Sequence, residues 1–422
     1  MYNSPIAIEH SRTLKAVNTV GALIEGCGIP LFELDRRRIL AKAAKAAGHS
    51  YADDGLTEGL DRLIASIKAD ARLNAFGKFA FKTLLQRMAD VRFKVERAIA
   101  ERPEILDDPI TEPLFIIGMP RSGTTILQAL LNQDAAHRSP LCWECLLPHP
   151  APTPESYRSN DRIDTIRTEF DQLFKLVPDF RRKHYMEADS PQECIGVMAL
   201  NFTSFQFMAQ AYLAGYSEWF FEAADQAANF RWHRRFLQFL QSGGVRTSRW
   251  LLKSPVHLMR LQALFEVYPD ARIIMTHRHP AYVVPSAASL ISSTRSLYSN
   301  HEAVERSGRE QLRLWARYFD RFLEDRQRLD REDQIVDVLF DDFVDDQMAV
   351  VRQIYDRFGW RLDAGSAGRM EAFLRQEAKD KHGKHDYSLE MIGVQPAEVE
   401  THYGSYLEFL GGLDQAPQRK LA

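Results

Sequence analysis

Cysteine is scarce in this chain. Cys27, Cys142, Cys145 and Cys194 are the four present in 422 residues, too few to staple a domain of this length and in keeping with a reducing cytoplasm. Two of them form a CxxC pair, Cys142-Trp143-Glu144-Cys145. A zinc site would need a second ligand pair, which is not spaced nearby, and a thioredoxin-like motif would follow the first strand of its fold rather than a long helix. An excess of one charge is also lacking: the net charge is −3 and the pI about 6.5, so the chain makes no electrostatic case for binding nucleic acid. The first 110 residues hold 17 Lys+Arg against 15 Asp+Glu, so no charged tail hides inside that average. The opening MYNSPIAIEHSR has neither the basic nor the apolar region of a secretory leader. Long uninterrupted apolar runs are missing as well. The most membrane-like stretch, Phe202–Phe221, carries Gln206, Gln210 and Glu218, which are costly at a bilayer centre. It reads as a buried helix, with a lipid-facing acceptor wall as the alternative that its many aromatics keep open.

What is present is an ordinary globular composition, 45% hydrophobic and 26% charged, long enough for a large α/β domain and an accessory one. Residues 1–110 read as a helical N-terminal subdomain. Phe81, Leu84, Leu85, Met88, Val91, Val95 and Ile99 recur at three- and four-residue spacing, and Leu60, Leu63, Ile64 and Ile67 make a shorter stripe. Its expected role is a packing subdomain or a homodimer surface. Pro103, Pro109 and Pro113 then mark a boundary. From 111 to 422 the pattern becomes α/β, with strands at Leu114–Gly118, Trp250–Leu252, Arg272–Thr276 and Ile335–Leu339 and helices at Thr124–Leu131 and Val256–Tyr268. Strands alternating with helices predict a parallel sheet with crossover helices, interrupted by a long helical insertion over 140–245.

The segment from Leu114 to Thr125, LFIIGMPRSGTT, reads as strand, glycine-containing turn and helix start, which aims backbone N–H groups at an anion. Gly118 and Gly123 have the spacing of the nucleotide-binding P-loop GxxxxGK[ST], but Thr124 stands where the Lys that reaches the β- and γ-phosphates of a triphosphate belongs. Arg121 supplies a cation inside the loop instead, with the hydroxyls of Ser122, Thr124 and Thr125 beside it. That set suits a 5′-phosphosulfate held without metal. A second motif places Arg278 at a strand end and Ser286 eight residues on, about 155 residues after the loop. Arg offers a planar fork of donors suited to phosphate, and Ser adds a hydroxyl.

These two motifs together resemble the sulfotransferases that use 3′-phosphoadenosine 5′-phosphosulfate. PRSGTT is the form of the loop in protein-tyrosine sulfotransferases and many bacterial members, whereas cytosolic steroid and phenol enzymes have Lys at the position of Arg121. The resemblance covers about Leu114 to Asp346. It implies a P-loop-like parallel sheet flanked by helices. It further implies that Arg121, Ser122, Gly123, Thr124 and Thr125 hold the 5′-phosphosulfate, that Arg278 and Ser286 hold the 3′-phosphate, and that adenosine 3′,5′-bisphosphate is the product. It calls for no metal. His385-Asp-Tyr387 resembles a segment recurrent in bacterial members, without assignable contacts.

Sulfuryl transfer needs a base for the acceptor hydroxyl and cations near the leaving phosphate. Lys253 follows an apolar strand and so sits at its C-terminal end, where parallel-sheet sites are built; it matches a Lys that contacts the transferring group in the tyrosine sulfotransferases. Two residues compete for the base. Glu144 lies 23 residues after Arg121, close to the offset of a catalytic Glu in tyrosine and some bacterial members, though two residues longer. His257 lies four residues beyond Lys253, whereas the steroid and phenol enzymes use a His two beyond, a position Pro255 occupies here. Glu144 as a helix-capping carboxylate and His257 as a core imidazole are the bland alternatives. Asp341, Asp342, Asp345 and Asp346 read as an acidic turn and helix start rather than a cation site, and Lys379–Lys384 as a basic loop that could screen phosphates. A P-loop kinase or NTPase would want Lys at position 124 and a carboxylate after an apolar strand, where His277-Arg278 stands. A non-catalytic nucleotide-binding scaffold would want Lys253, Arg278 or the base to be missing. The aromatic 202–221 segment and Leu141–Leu147 point to an apolar small molecule or lipid as the hydroxyl-bearing acceptor.

Overall fold

The computed structural model of the chain describes residues 11–28, 32–50, 53–176, 187–376 and 387–414. It divides into two compact units. The first comprises residues 1–110, 139–247 and 291–302, and the second 111–138, 248–290 and 303–422. The helical segment expected over 1–110 thus shares its unit with most of the insertion, because its polar side chains are satisfied there. Arg92, on the helix Ala75–Glu101 and almost wholly buried, donates to Asp54 at 2.7 Å and to Asn201 at 3.0 Å, and lies 3.5 Å over the Trp232 ring. Burial works against its charge, and Asp54 and Glu96 support it. Phe81, Leu85, Met88, Val91, Val95 and Ile99 are buried along that helix, as the periodicity predicted, and Asn74 caps it by accepting from the Gly77 N–H at 2.8 Å.

The second unit holds a five-stranded parallel sheet in the order β2-β3-β1-β4-β5: β1 Leu114–Gly118, β2 His137–Arg138, β3 Arg249–Lys253, β4 Arg272–His277 and β5 Ile335–Leu339. The central strand β1 is apolar and buried throughout because it is sandwiched on both faces. It pairs with β3 in the register Ile116 to Lys253 and with β4 in the register Gly118 to Thr276. Leu114, Ile116, Leu127, Leu131, Leu251, Ile274 and Val336 form a core beneath it. Parallel pairing puts the C-terminal ends of all five strands at one edge, where β1 runs into the loop, β3 ends in Lys253 and β4 in His277. Strand β2 is two polar residues long and carries no periodicity by which sequence could find it.

Two helices differ from expectation. Val256–Tyr268 is a 3₁₀ turn, Pro255–Arg260, followed by the helix Leu261–Val267; Arg260, at φ −143° and ψ 31°, breaks the two apart. The apolar 202–221 stretch is two short helices, Phe205–Gln210 and Ala214–Glu222, separated by extended Ala211. Phe202, Phe207, Tyr216 and Phe220 are buried nonetheless. Among the described residues no helix is long and apolar enough to cross a membrane.

Candidate active site

After β1 the chain turns through Met119–Gly123 and enters the helix Thr124–Leu131. Two features force this shape. Gly118, at φ 143°, packs so closely on β4 that a Cβ there would lie 2.6 Å from the Thr276 carbonyl oxygen. Arg121 and Gly123 then take positive φ, 73° and 86°, a conformation costing a non-glycine residue about 1 kcal/mol or more. The Ser122 hydroxyl bonds to the Met119 carbonyl and to Thr276 Oγ1, both at 2.6 Å, and the Ser122 N–H also returns to Met119 at 3.2 Å. Ser122 therefore shapes the loop from within, and Thr276, a polar residue ending an apolar strand, is a member of the site that sequence reasoning missed. The first-turn N–H groups of the helix, which have no carbonyl partner within it, come from Thr124 onward.

The cations expected around this loop meet there. Arg121 Nε donates to Ser286 Oγ at 3.2 Å, and Arg278 Nη1 donates to the Arg121 carbonyl at 2.9 Å. Burial pulls the Arg278 guanidinium below its usual value, the Arg121 charge pulls further, and Asp341 opposes both. The fold thus holds two like charges together, which favours an anion between or beside them. Phe340 supports Arg278 from below, its ring centre 4.0 Å from the guanidinium carbon. On the other side of β1, Lys253 is buried and its Nζ lies 3.3 Å from Thr125 Oγ1. Two guanidiniums, an ammonium and several hydroxyls around a tight glycine loop form a donor set that fits a nucleotide carrying separate 3′- and 5′-anions.

The two candidate bases belong to different units. His257 belongs to the second unit, buried in the 3₁₀ turn after Lys253 and edge-on to Phe115 at 5.5 Å. Glu144 belongs to the first unit, on the short helix Cys142–Leu146, where it is fully buried. Its Oε2 accepts the Leu141 N–H at 2.8 Å, so it caps its own helix, and its charge supports the Arg162 guanidinium against burial. The neighbouring thiols are held protonated: burial pushes Cys142 up to about 12 and raises Cys145 well above its ordinary value. The acidic run lies where expected, Asp341 and Asp342 in the first turn of Phe340–Asp345 and Asp346 capping the next helix. Tyr387 is described, whereas His385 and Lys379–Lys384 fall outside the described residues.

Known proteins resemble this chain in sequence and fold. A family model described as "Sulfotransferase family" matches residues 113–364. The omega-hydroxy-beta-dihydromenaquinone-9 sulfotransferase Stf3 of Mycobacterium bovis is 25% identical over 332 residues, 75% of this chain and 78% of that protein. Among solved structures, sulfotransferase STF1 from Mycobacterium tuberculosis H37Rv is similar at a TM-score of 0.78 and 28% identity, covering 88% of this chain and 99% of that one. Sulfotransferase STF9 from Mycobacterium avium is similar at 0.80 and 27%, covering 89% and 98%. The matched residues run from the strand before the loop to the helices beyond β5, and on that extent the chain belongs to the sulfotransferase family, as an enzyme with an α/β fold built on a parallel sheet.

Proposed function

We propose that the chain moves a sulfuryl group from 3′-phosphoadenosine 5′-phosphosulfate to a hydroxyl of an apolar, lipid-like acceptor. The observation that carries this reading is the contact chain Arg278–Arg121–Ser286 beside the loop, two cations held against their repulsion where, among the described residues, no carboxylate forms an ion pair with both. When bound, the donor supplies the activated sulfuryl group. Arg121, Gly123, Thr124 and Thr125 orient its 5′-phosphosulfate, and Ser122 keeps the loop in the receiving shape. Arg278 and Ser286 take the 3′-phosphate. Lys253, tied to Thr125, stabilises charge on the leaving phosphate side. Glu144 is the base that takes the acceptor proton, with His257 as the alternative. General base assistance of this kind is worth about 10²–10⁴-fold in rate.

The acceptor class is supported by the buried aromatics of 202–221 and by Stf3, whose name specifies a hydroxylated menaquinone derivative. The reaction is proposed to run in the cytoplasm and to need no metal. Calorimetric titration with adenosine 3′,5′-bisphosphate, against ATP plus Mg²⁺, tests the donor site. Metal-independent binding of the bisphosphate with much weaker ATP is expected. The opposite order would sink the reading in favour of a kinase or NTPase.

A further inference from the structure

The loop after β1 is tied to the neighbouring strand through one hydroxyl. Thr276 lies on β4, paired with Gly118 of β1 on one side and with Val338 of β5 on the other, so its backbone is clamped within the sheet. The residue is buried, and its Oγ1 lies 2.6 Å from Ser122 Oγ and 3.3 Å from the Ile117 carbonyl oxygen. The direction of these bonds follows from their chemistry. A carbonyl oxygen only accepts, and a hydroxyl 2.6 Å from one must place its single proton between them, so the Ser122 hydroxyl donates to Met119. Ser122 Oγ is then the acceptor toward Thr276, and the Thr276 hydroxyl donates the shorter of its two contacts. A buried chain of donors thus runs out of the sheet from Thr276 through Ser122 to Met119. It closes the turn in which the Ser122 N–H also returns to the Met119 carbonyl at 3.2 Å.

That turn contains Arg121 at φ 73°, a left-handed conformation that a non-glycine residue keeps only where its surroundings over-determine it. Here the end of β4 holds it from two sides. Arg278 donates to the Arg121 carbonyl at 2.9 Å, and Thr276, two residues earlier, holds Ser122, the residue that follows Arg121. We infer that Thr276 is a positioning residue for the 5′-phosphosulfate loop, acting through Ser122 to keep the loop and the helix N–H groups that follow it turned toward the anion. The inference rests on the role proposed above for the loop. The Ser122 proton points inward to Met119, so Ser122 serves the donor through the shape of the loop and not through a bond from its own hydroxyl. Without the Thr276 hydroxyl, Ser122 Oγ loses its donor at a buried position, and Arg121 can relax out of its left-handed conformation.

Thr276→Ala and Thr276→Ser both delete the methyl group and differ from one another by the hydroxyl alone. These variants and the wild type are titrated with adenosine 3′,5′-bisphosphate and with adenosine 3′-monophosphate, which lacks the 5′-phosphate. In Thr276→Ala the bisphosphate is expected to bind about tenfold more weakly, with monophosphate affinity unchanged, and Thr276→Ser is expected to restore most of the loss. Ser122→Ala removes the acceptor of the same bond. It is expected to show the same selective loss, and the double alanine variant to lose no more than either single one. A preference for the bisphosphate that survives Thr276→Ala, an equal loss for both nucleotides, or a Thr276→Ser variant as impaired as Thr276→Ala would overturn the inference alone. Losses that add in the double variant would do the same. A wild type with no preference for the bisphosphate would overturn the donor-site reading and the inference with it.

Discussion

Arg278→Ala tests one proposed grip on the donor while leaving the residues of the loop themselves unchanged. The guanidinium is half-buried, already depressed by burial and by Arg121, and so gains from any anion that relieves both. A hydrogen bond to a charged group is worth about 1.5–3 kcal/mol. Competition from Asp341 puts the expected loss near 2 kcal/mol, about 30-fold in the dissociation constant of adenosine 3′,5′-bisphosphate. The unliganded protein should lose less. Alanine removes the 2.9 Å bond to the Arg121 carbonyl and the Phe340 contact, but also one of two repelling charges, so stability should fall by under about 1 kcal/mol. Arg278→Lys restores the charge without the fork and should recover only part of the affinity. Calorimetry at two salt concentrations reads the effect, with a weaker salt dependence expected for the alanine variant. A change of less than about threefold in the alanine variant would remove Arg278 from the phosphate site.

Glu144→Gln keeps an oxygen to accept the Leu141 N–H and so should leave the short helix and donor affinity nearly intact, while turnover falls by about 10²–10⁴-fold. Steady-state release of the bisphosphate product reads this; full activity in Glu144→Gln, with a collapse in His257→Asn, would transfer the role of base to His257. Burial would raise the Asp337 carboxyl on β5, but His277 Nε2 at 2.8 Å and Arg326 at 2.7 and 2.8 Å hold it well below its usual range, so its contribution to stability is complete above the unfolded carboxyl value of about 4 and is lost as pH falls below that. Asp337→Asn should therefore flatten the acid limb of a melting-temperature profile, and an unchanged limb would show that the His277–Asp337–Arg326 contacts add little.

Much of the site was legible because its parts are local. An apolar run, a glycine turn and a helix start are adjacent in sequence, and the Arg278–Ser286 spacing spans one strand end and one helix, so the loop, Lys253, Arg278 and Ser286 could be named as candidates from motifs and their order. What escaped depends on neighbours distant in the chain. Thr276 matters because β4 pairs with β1 and brings its hydroxyl to Ser122; the His277 ring, ending β4, meets the Tyr406 hydroxyl of a helix some 130 residues later. The 202–221 stretch looked like one helix because burial, not helical continuity, was what its composition recorded.

The interleaving of the two units bears on how the chain is made. It passes from one unit to the other after residues 110, 138, 247, 290 and 302, so no single cut releases either unit whole. On the ribosome the first unit has all its pieces once residue 302 has emerged, while β5 at Ile335–Leu339 and the helix Pro396–Asp414 are still to come. The sheet must wait half-built, its β4 edge unpaired, for the last quarter of the polypeptide. A nascent chain stalled before residue 335 would carry that exposed edge, and chaperone demand should peak there during synthesis.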